Sequence, residues 1–500
     1  MNQASSPAPP RPPSLGLALI PVVVLVGLLA LNVRVFGSAD NHVALVLAAS
    51  IAGLIAVFVL KQPWKEIEDG IVHSITMAMR AVLILMVVGM LIGAWIEAGV
   101  VPQLIVWGLQ IISPDVFLVT ACLMCCVVSL ATGSSWTTAG TVGVALMGIG
   151  HTLGIDIGMV GGAVVSGAYF GDKMSPLSDT TNLAPAMAGS TLIEHIQHMI
   201  WTVTPALGIA LVLYAFLGGS HAESAQGLER VEATIAVLRS NFTLSPWLAL
   251  PPILVLGLVA GRVPAIPALL VGTFSAAGLG LLVQQHGDGG ALAMLGESFG
   301  TLFNGFSIQL VASVPDGALH DVQREAALTV ESLLDGRGGM KSMMGTVALI
   351  FCALAFGGVL ERSGMLAAIS NSILRLVRGT GSLITATILT CFGINVLASD
   401  QYMAIVVPGR MFRRAYLERR LHPKNLSRAL EDSGTVTSAL IPWNTCGAQM
   451  ATVLGVATVA YAPYAFLNWL CPLISIVYGF TGISIARISE QEARERLSAG

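Results

Sequence analysis

The sequence predicts an all-α polytopic membrane protein, with about 10–13 transmembrane helices in two inverted structural repeats that contain broken or re-entrant segments. Three observations lead to this class: a strongly apolar composition, long apolar runs, and matched polar motifs in the two halves. Of the 500 residues 55% are hydrophobic and only 11% are charged, and the mean hydropathy is +0.79. Soluble domains carry about 25% charged residues, so a soluble protein is excluded.

The apolar runs have the length of membrane-spanning helices, which need roughly 20 apolar residues each. The clearest runs begin at Ser14, His42, Ala81, Val116 and Met199, and comparable segments recur in the second half. Their apolar residues are continuous rather than alternating, which excludes a transmembrane β-barrel. The first run is too long for a signal-peptide core and lacks a small-residue cleavage site, so we expect it to be the first span.

Composition also predicts how the chain is divided. A Pro-rich stretch at 1–13 has the composition of a disordered tail. We expect the first transmembrane repeat at 14–217, an extramembrane connector at 218–245, and the second repeat at 246–486 with a polar insert at about 284–341. A short tail at 487–500 completes the chain.

The two halves carry three matched features in the same order. The first is a Gly and a Glu four residues apart, Gly93 with Glu97 and Gly357 with Glu361. The second pairs ATGSSWTT, from Ala131, with LASDQY, from Leu397. The third pairs GDKMSPLSDTTN, from Gly171, with EDSGTVTSALIPWN, from Glu431. The offsets are about 260 to 266 residues, and self-similarity in a fixed order is the mark of an internal repeat.

The distribution of basic residues predicts that the repeats are inverted. The loop at 410–428 holds seven basic residues and one acidic residue, whereas the corresponding stretch of the first half, MGIGHTLGIDIG, has no Lys or Arg. Basic residues in short loops mark the cytoplasmic side, so we expect the 410–428 loop to be cytoplasmic. Equivalent loops would then lie on opposite faces, as in alternating-access transporters.

The polar motifs predict a binding site. Gly, Pro and Ser/Thr clusters interrupt helices, and broken backbone at membrane depth is tolerated only where it is buried or lines an aqueous cavity. Carboxylate, hydroxyl and amide oxygens suit a small hard cation such as sodium, and a carboxylate in a dry environment can also take up a proton. The other interpretation is that these motifs are surface loops with helix N-caps.

We therefore predict a cation- and proton-binding site at mid-membrane, with sodium bound by the same residues. The first repeat would supply Asp172, Ser178, Asp179, Thr180, Thr181, Asn182, Ser134 and Ser135, and the second Asp400, Asp432, Thr435 and Asn444. Asp172 and Asp432 are favoured as the exchanging carboxylates because they hold corresponding places in the two motifs. Lys173 could form a buried ion pair or extend from a helix end, and the sequence does not decide between these.

Other features exclude competing functions. A net charge of −3 gives no reason to expect a nucleic-acid partner. The seven scattered cysteines have no metal-ligand spacing and are expected to be small buried side chains. Glu194, His195 and His198 are predicted to belong to an interfacial helix rather than a metal site. The spans contain no zinc motif and no nucleophile with a partnered His, so we expect a protein that is not an enzyme. No cofactor is expected beyond the transported sodium ion and proton.

At these motifs the chain resembles the NhaC family of sodium/proton antiporters, which belongs to a wider ion-transporter superfamily. The matching stretches include ATGSSWTT, GAYFGDKMSPLSDTTNLAP, ASDQYMAIVVPGRMF and LSRALEDSGTVTSALIPWNTCGAQM, and they span about 65–465. The resemblance implies exchange of sodium for protons, by alternating access, across a bacterial cytoplasmic (inner) membrane.

Similar proteins in the same group exchange organic acids, such as malate for lactate, coupled to sodium and protons. The alternative function is therefore a sodium/proton-coupled organic acid exchanger, with small carboxylates as partners. Partners other than lipid, ions and such carboxylates are not indicated, and the sequence leaves open whether the protein forms a homo-oligomer.

Overall fold

The computed structural model describes residues 13–35, 41–218, 225–284, 290–310, 321–375 and 377–498. Within these ranges the chain is helical, with two isolated β-bridges and no β-strand. The predicted Pro-rich tail lies almost entirely outside the described residues. The all-α prediction is confirmed.

The described residues of the first half form ten α-helices, which we number in chain order. They are α1 Leu15–Val35, α2 His42–Leu54, α3 Trp64–Glu97, α4 Val100–Ile111, α5 Phe117–Thr132, α6 Ser135–Thr138, α7 Val144–Thr152, α8 Ile157–Met174, α9 Asp179–Ala188 and α10 Leu192–Gly218. A π-helical turn, Ala139–Gly143, joins α6 to α7 without a break.

The middle and second half continue the numbering. The helices are α11 Ala225–Asn241, α12 Leu250–Ala260, α13 Ala265–Val283, α14 Gly290–Asn304, α15 Asp321–Leu334, α16 Met344–Arg362, α17 Met365–Leu374, α18 Thr380–Leu397, α19 Gln401–Glu418, α20 Pro423–Leu430, α21 Thr445–Leu454, α22 Thr458–Tyr461, α23 Phe466–Thr481 and α24 Glu490–Ser498. A π-helical turn, Glu431–Thr435, extends α20.

Seven of the described helices are long and apolar enough to cross a membrane, and the number rises to nine if each of two sharply bent helix pairs is one span. One of these pairs joins α21 to the following 458–464 segment at 90°. Four shorter apolar helices, at 15–31, 100–111, 365–374 and 466–481, are also present. The predicted total of about 10–13 is reached only when such shorter helices are counted.

The packing interlocks the two halves. The long helices α3 and α16 lie against each other, α2 packs on α16, and α13 packs on α3. In the first half, α2 precedes α3 but packs on α16 of the second half. In the second half, α13 precedes α16 but packs on α3 of the first half. The apolar core is divided into clusters: most of α3 and α5–α8 belong to one, α2 and part of α16 to a second, and α9 and α20 to a third.

Most of the predicted basic loop is helical. Residues 410–418 lie in α19 and 423–428 lie in α20, so only Arg419 to His422 form the turn between these helices. Arg428 is buried inside the protein, with 0% of its surface exposed, rather than facing the aqueous phase. The prediction of a loop over 410–428 is therefore wrong in its extent, because the apolar residues interleaved with the basic ones let both helices pack.

Helix caps define the register between the repeats. Ser134 and Asp400 both cap a helix by accepting the N–H group three residues on, and so does Asp156 in the first half. Ser178 and Asn444 hold matching N-cap positions, although only Asn444 accepts a backbone N–H there, and Gly189 and Gly455 end their helices in the left-handed conformation, at φ 82° and 68°. Each pair, 134 with 400, 178 with 444 and 189 with 455, is separated by 266 residues.

This register corrects one inference from the sequence. Asp172 and Asp432 are 260 residues apart, so they do not occupy equivalent places. At a separation of 266, Asp172 corresponds to Ser438 and Asp432 corresponds to Ser166. The two motifs look aligned in the sequence because both contain a helix break after their acidic residues. The breaks differ in length, however: the one after α8 covers 175–178, whereas the irregular stretch before α21 covers 436–444.

Candidate cation site

The first repeat contains two helix breaks that touch each other. One separates α5 from α6 at Gly133 and Ser134, and the other separates α8 from α9 at 175–178. Gly133 adopts φ 68°, and a Cβ atom placed on it would lie 2.7 Å from the Cβ of Leu177. Only glycine fits both the backbone conformation and this close approach. The contact brings the hydroxyl-rich start of α6 next to the end of α8.

Asp172 lies at the junction of these breaks. Its side chain is buried, and each carboxylate oxygen accepts a hydrogen bond of 2.6 Å, one from the Ser135 hydroxyl and one from the Ser178 hydroxyl. The Thr181 hydroxyl lies 2.8 Å from the carbonyl oxygen of Asp172 and 2.9 Å from that of Lys173. The end of α8 is therefore held through its backbone as well as through the carboxylate.

The oxygen cluster continues into the second repeat. The hydroxyls of Ser178 and Thr180 are 3.1 Å apart, and Thr180 donates to Oε1 of Glu431 at 3.0 Å. Glu431 is buried in the π-helical turn after α20, and its Oε2 has no partner among the described residues. Carboxylates from the two repeats are thus linked through two hydroxyl groups.

A second buried cluster lies beside the first and has a different character. Asp432 forms an ion pair with Lys173, and both side chains are 0% exposed. Thr202 donates to the same carboxylate oxygen at 3.0 Å, while the other oxygen lies 4.0 Å from Nε of Arg428. Two cations therefore neutralise this carboxylate, in contrast to Asp172, whose nearest partners are uncharged.

A cavity of about 340 Å³ gives access to Asp172 from outside the protein. Both repeats line it, because Ser135, Asp172 and Thr180 meet Gln401, Tyr402 and Thr445 there. Asp179 stands at its more open part, where its carboxylate lies 3.2 Å from Arg80 and about half of the side chain is exposed. Asp432 is not among the residues lining this cavity.

Several predicted site residues serve as helix caps. Asp400 accepts from the Met403 N–H at 3.0 Å, Ser134 from the Thr137 N–H at 3.2 Å, and Asn444 from the Cys446 N–H at 3.0 Å. The sequence left open whether such residues are N-caps, and these three side chains are N-caps in the structure. Asp400 and Asn444 are nevertheless buried close to the cavity wall, since Gln401 and Thr445 line it.

Two further predicted residues lie at the margin of the cluster. Asn182 is exposed on α9, and its amide donates to the carbonyl oxygens of Pro176 and Ser178, which fixes the turn before the helix. Thr435 is fully buried at the end of the π-helical turn, and its hydroxyl has no partner among the described residues.

The structure adds residues that the sequence did not assign to the site. Glu431 directly precedes Asp432, and this position next to a predicted site residue is the only sequence signal for Glu431. Arg428 was obscured by the basic run that contains it. His195 and His198 are buried, not interfacial, and lie 2.9 Å from Ser427 and 3.2 Å from Asn425. Their burial depends on α10 packing against α20, which the spacing along the chain does not reveal.

These features define a class of protein. A polytopic helical chain with paired helix breaks, buried carboxylates and a cavity lined by both halves has the architecture of a secondary transporter.

Comparison with known proteins then gives the family. The model of the Na+/H+ antiporter family matches residues 167–483. The Na(+)/H(+) antiporter NhaC of Alkalihalophilus pseudofirmus is 38% identical over 95% of this chain and 97% of its own length. The chain therefore belongs to the Na+/H+ antiporter family, as its motifs predicted.

Relatives that are similarly close carry other names. The arginine/ornithine antiporter ArcD of Halobacterium salinarum is 36% identical over 97% of this chain and 96% of its own length. The malate-2H(+)/Na(+)-lactate antiporter of Bacillus subtilis is 33% identical over 93% of this chain and 95% of its own length. Proteins with different cargoes therefore share this sequence pattern.

Proposed function

We propose that this protein exchanges sodium ions for protons across the membrane, and that Asp172 is the group that carries either one. One observation supports this most strongly. Asp172 is a buried carboxylate that lines a cavity shared by the two repeats and has only hydroxyl partners. Its negative charge has no neutralising cation within hydrogen-bonding distance among the described residues, so a sodium ion or a proton can serve that purpose.

The chemistry of exchange follows from this arrangement. The hydroxyls of Ser135, Ser178 and Thr180 supply neutral oxygen ligands beside the carboxylate, which suits a hard monovalent cation. When the carboxylate takes a proton, its charge is removed and the cation is released. Because one group accepts one or the other, sodium moving in one direction requires protons moving in the opposite direction.

Everted membrane vesicles with a pH-sensitive dye provide the test. Vesicles are energised to form a proton gradient, and sodium is then added. We expect sodium to dissipate the gradient in vesicles that contain the protein and not in vesicles that lack it. An unchanged gradient across a range of sodium concentrations and external pH would show that the protein is not a sodium/proton exchanger.

A second candidate function is sodium- and proton-coupled exchange of a small organic acid. Arg262 favours it, because this residue lines the same cavity and its guanidinium has no ion-pair partner among the described residues. A guanidinium can bind a carboxylate through two parallel hydrogen bonds. Uptake of radiolabelled malate and lactate into proteoliposomes distinguishes the two: sodium-dependent uptake that Arg262→Gln abolishes would favour the organic acid.

A further inference from the structure

A second cavity lies at the other end of the elements that form the first. It has a volume of about 230 Å³. Arg80 and Ile84 of α3 line the first cavity, whereas Ile92 and Ile96 of the same helix line the second. Along α3, the 12 residues from Arg80 to Ile92 correspond to about 18 Å at 1.5 Å per residue.

Two other elements connect the same cavities. The α6–α7 segment contributes Thr137 to the first cavity and Val144 to the second. Helix α21 contributes Thr445 to the first and Thr452 to the second. Seven residues separate each of these pairs, which along α21 is about 10 Å. Measured along these elements, the residues that line the two cavities are therefore about 10 to 18 Å apart.

A polar stripe on α21 spans this distance. Thr445, Gln449 and Thr452 are spaced i, i+4 and i+7, so their side chains lie on one face of the helix. The end members line the two cavities, and Gln449 lies between them. The π-helical turn Ala139–Gly143, which packs against α21, contains Thr141, whose hydroxyl donates to the Thr137 carbonyl oxygen at 2.7 Å.

Gln449 is unusual within this stripe. The residue is 0% exposed, and both its amide oxygen and its amide nitrogen lack a hydrogen-bond partner among the described residues. A buried polar group without a partner costs about 1–3 kcal/mol, so an apolar residue would make this helix more stable. Packing therefore does not account for a glutamine at this position, whereas a role in contacting cargo does.

We propose that the transported cation crosses between the two cavities along the Thr445–Gln449–Thr452 face of α21, and that the Gln449 amide oxygen is a transient ligand between them. This inference rests on the proposed exchange function and extends it by assigning the route. An amide oxygen is a suitable ligand for a hard cation and binds without competing for the proton. Among the described residues that line the second cavity Arg337 is the only charged one, and its positive charge disfavours a cation there, so this cavity releases the cation rather than holding it.

The first test locates the two ends of the route without measuring transport. Thr445→Cys and Thr452→Cys are each treated with a membrane-impermeant thiol reagent in right-side-out and everted vesicles. The unmodified protein provides the background, since all seven of its cysteines are buried or half-buried. We expect Thr445→Cys to react from one face of the membrane only and Thr452→Cys from the opposite face only.

Reaction of both variants from the same face, or no reaction of Thr452→Cys from either face, would overturn the route. Because labelling does not require exchange, its outcome is separate from that of the proposed function. If the unmodified protein fails to exchange sodium while labelling follows the expected pattern, the cargo assignment is wrong and the route stands.

The second test addresses the amide itself. Gln449→Leu retains the size of the side chain and removes its oxygen, so we expect the sodium-dependent exchange rate to fall at least fivefold, with partial recovery in Gln449→Asn. Gln103→Leu is the matched control, because Gln103 is also buried but lines a different cavity. If Gln449→Leu and Gln103→Leu exchange at the same rate, Gln449 is not a ligand on the route.

Discussion

Each repeat has a buried carboxylate near its second helix break, but the partners of the two carboxylates differ in charge. In the first repeat, Asp172 accepts hydrogen bonds from two serines and lines a cavity. In the second, Asp432 is enclosed and paired with Lys173, with Arg428 close by. Similar backbones thus hold one carboxylate that has no neutralising cation and one whose charge is already balanced.

The comparison shows that the repeat determines backbone geometry and leaves the chemistry to each half. Matched helix caps, such as Ser134 with Asp400 and Gly189 with Gly455, are each separated by 266 residues. At the same separation, Asp172 corresponds to a serine in the other half. In a fully symmetric site, both central carboxylates would pair with cations, or neither would. On this asymmetry we propose that Asp172 carries the exchanged ion and that Asp432 stabilises the interface between the repeats.

Asp172→Asn gives the largest expected effect on this comparison. The amide keeps the size of the side chain but carries no negative charge and does not bind a proton at neutral pH. We expect sodium-dependent dissipation of the proton gradient to fall to the level of vesicles without the protein, with unchanged expression and melting temperature. Asp156→Asn is the control, because asparagine also caps helices and α8 remains capped.

Retention of exchange by Asp172→Asn would remove Asp172 from the mechanism and point to Glu431 or Asp432 instead. Loss of expression in Asp172→Asn would indicate that the carboxylate is structural, which the comparison assigns to Asp432.

Lys173→Met is expected to act on stability first. Removing Lys173 leaves the buried Asp432 carboxylate with only the more distant Arg428, and breaking a buried ion pair costs about 3–5 kcal/mol. We expect a lower midpoint of thermal unfolding for the detergent-solubilised protein. In the double variant Lys173→Met/Asp432→Leu neither charge of the pair remains, but the buried Arg428 also loses its nearby carboxylate, so only part of the loss should be recovered. A double variant that is no more stable than Lys173→Met would show that the pair does not act as a unit.

Thr180→Val tests the link between the two repeats. Valine has the same shape but no hydroxyl, so Oε1 of Glu431 loses its donor and the ligand set beside Asp172 loses an oxygen. A lost bond to a charged group is worth about 1.5–3 kcal/mol. We expect the sodium concentration for half-maximal exchange to rise about tenfold or more, and Thr180→Ser to restore it. An unchanged half-maximal concentration would place Thr180 outside the cation site.

Part of this site could be predicted from sequence because its signals are local. Gly, Pro and hydroxyl clusters inside apolar runs reveal helix breaks, and so Ser135, Asp172 and Ser178 were assigned before their contacts were known. The membrane-spanning character and the internal repeat followed from composition and order. These signals depend on neighbours within a few positions, which a single sequence contains.

The remainder depends on which helices meet. The partner of Lys173 lies 259 residues away, and the histidines of α10 face α20 from more than 220 residues away. No spacing rule relates such positions. Asp400 and Asn444 show a second limit, since the same side chains suit a cation ligand or an N-cap, and only the position of the next helix turn distinguishes the two.

The smallest expected effect concerns the caps of α8 and α20. Asp156 caps the first helix, and His422, 266 residues later, caps the second by accepting from the Lys424 N–H at 3.2 Å. An imidazole nitrogen accepts only while it is unprotonated. Burial lowers the pKa of His422 below its usual value, so the folded state binds fewer protons than the unfolded state. Its contribution to stability is present above about pH 6.5, the ordinary pKa, and is lost as the pH falls.

An N-cap is worth about 1 kcal/mol, so acidification from about pH 7.5 to 5.5 should lower the stability of the unmodified protein by no more than about that amount through His422. In His422→Asn the cap does not titrate, and the pH dependence should decrease by the same amount. Thermal unfolding of both proteins at the two pH values measures the difference. If their pH dependences are equal, protonation does not break this cap, and the two repeats respond to acid alike.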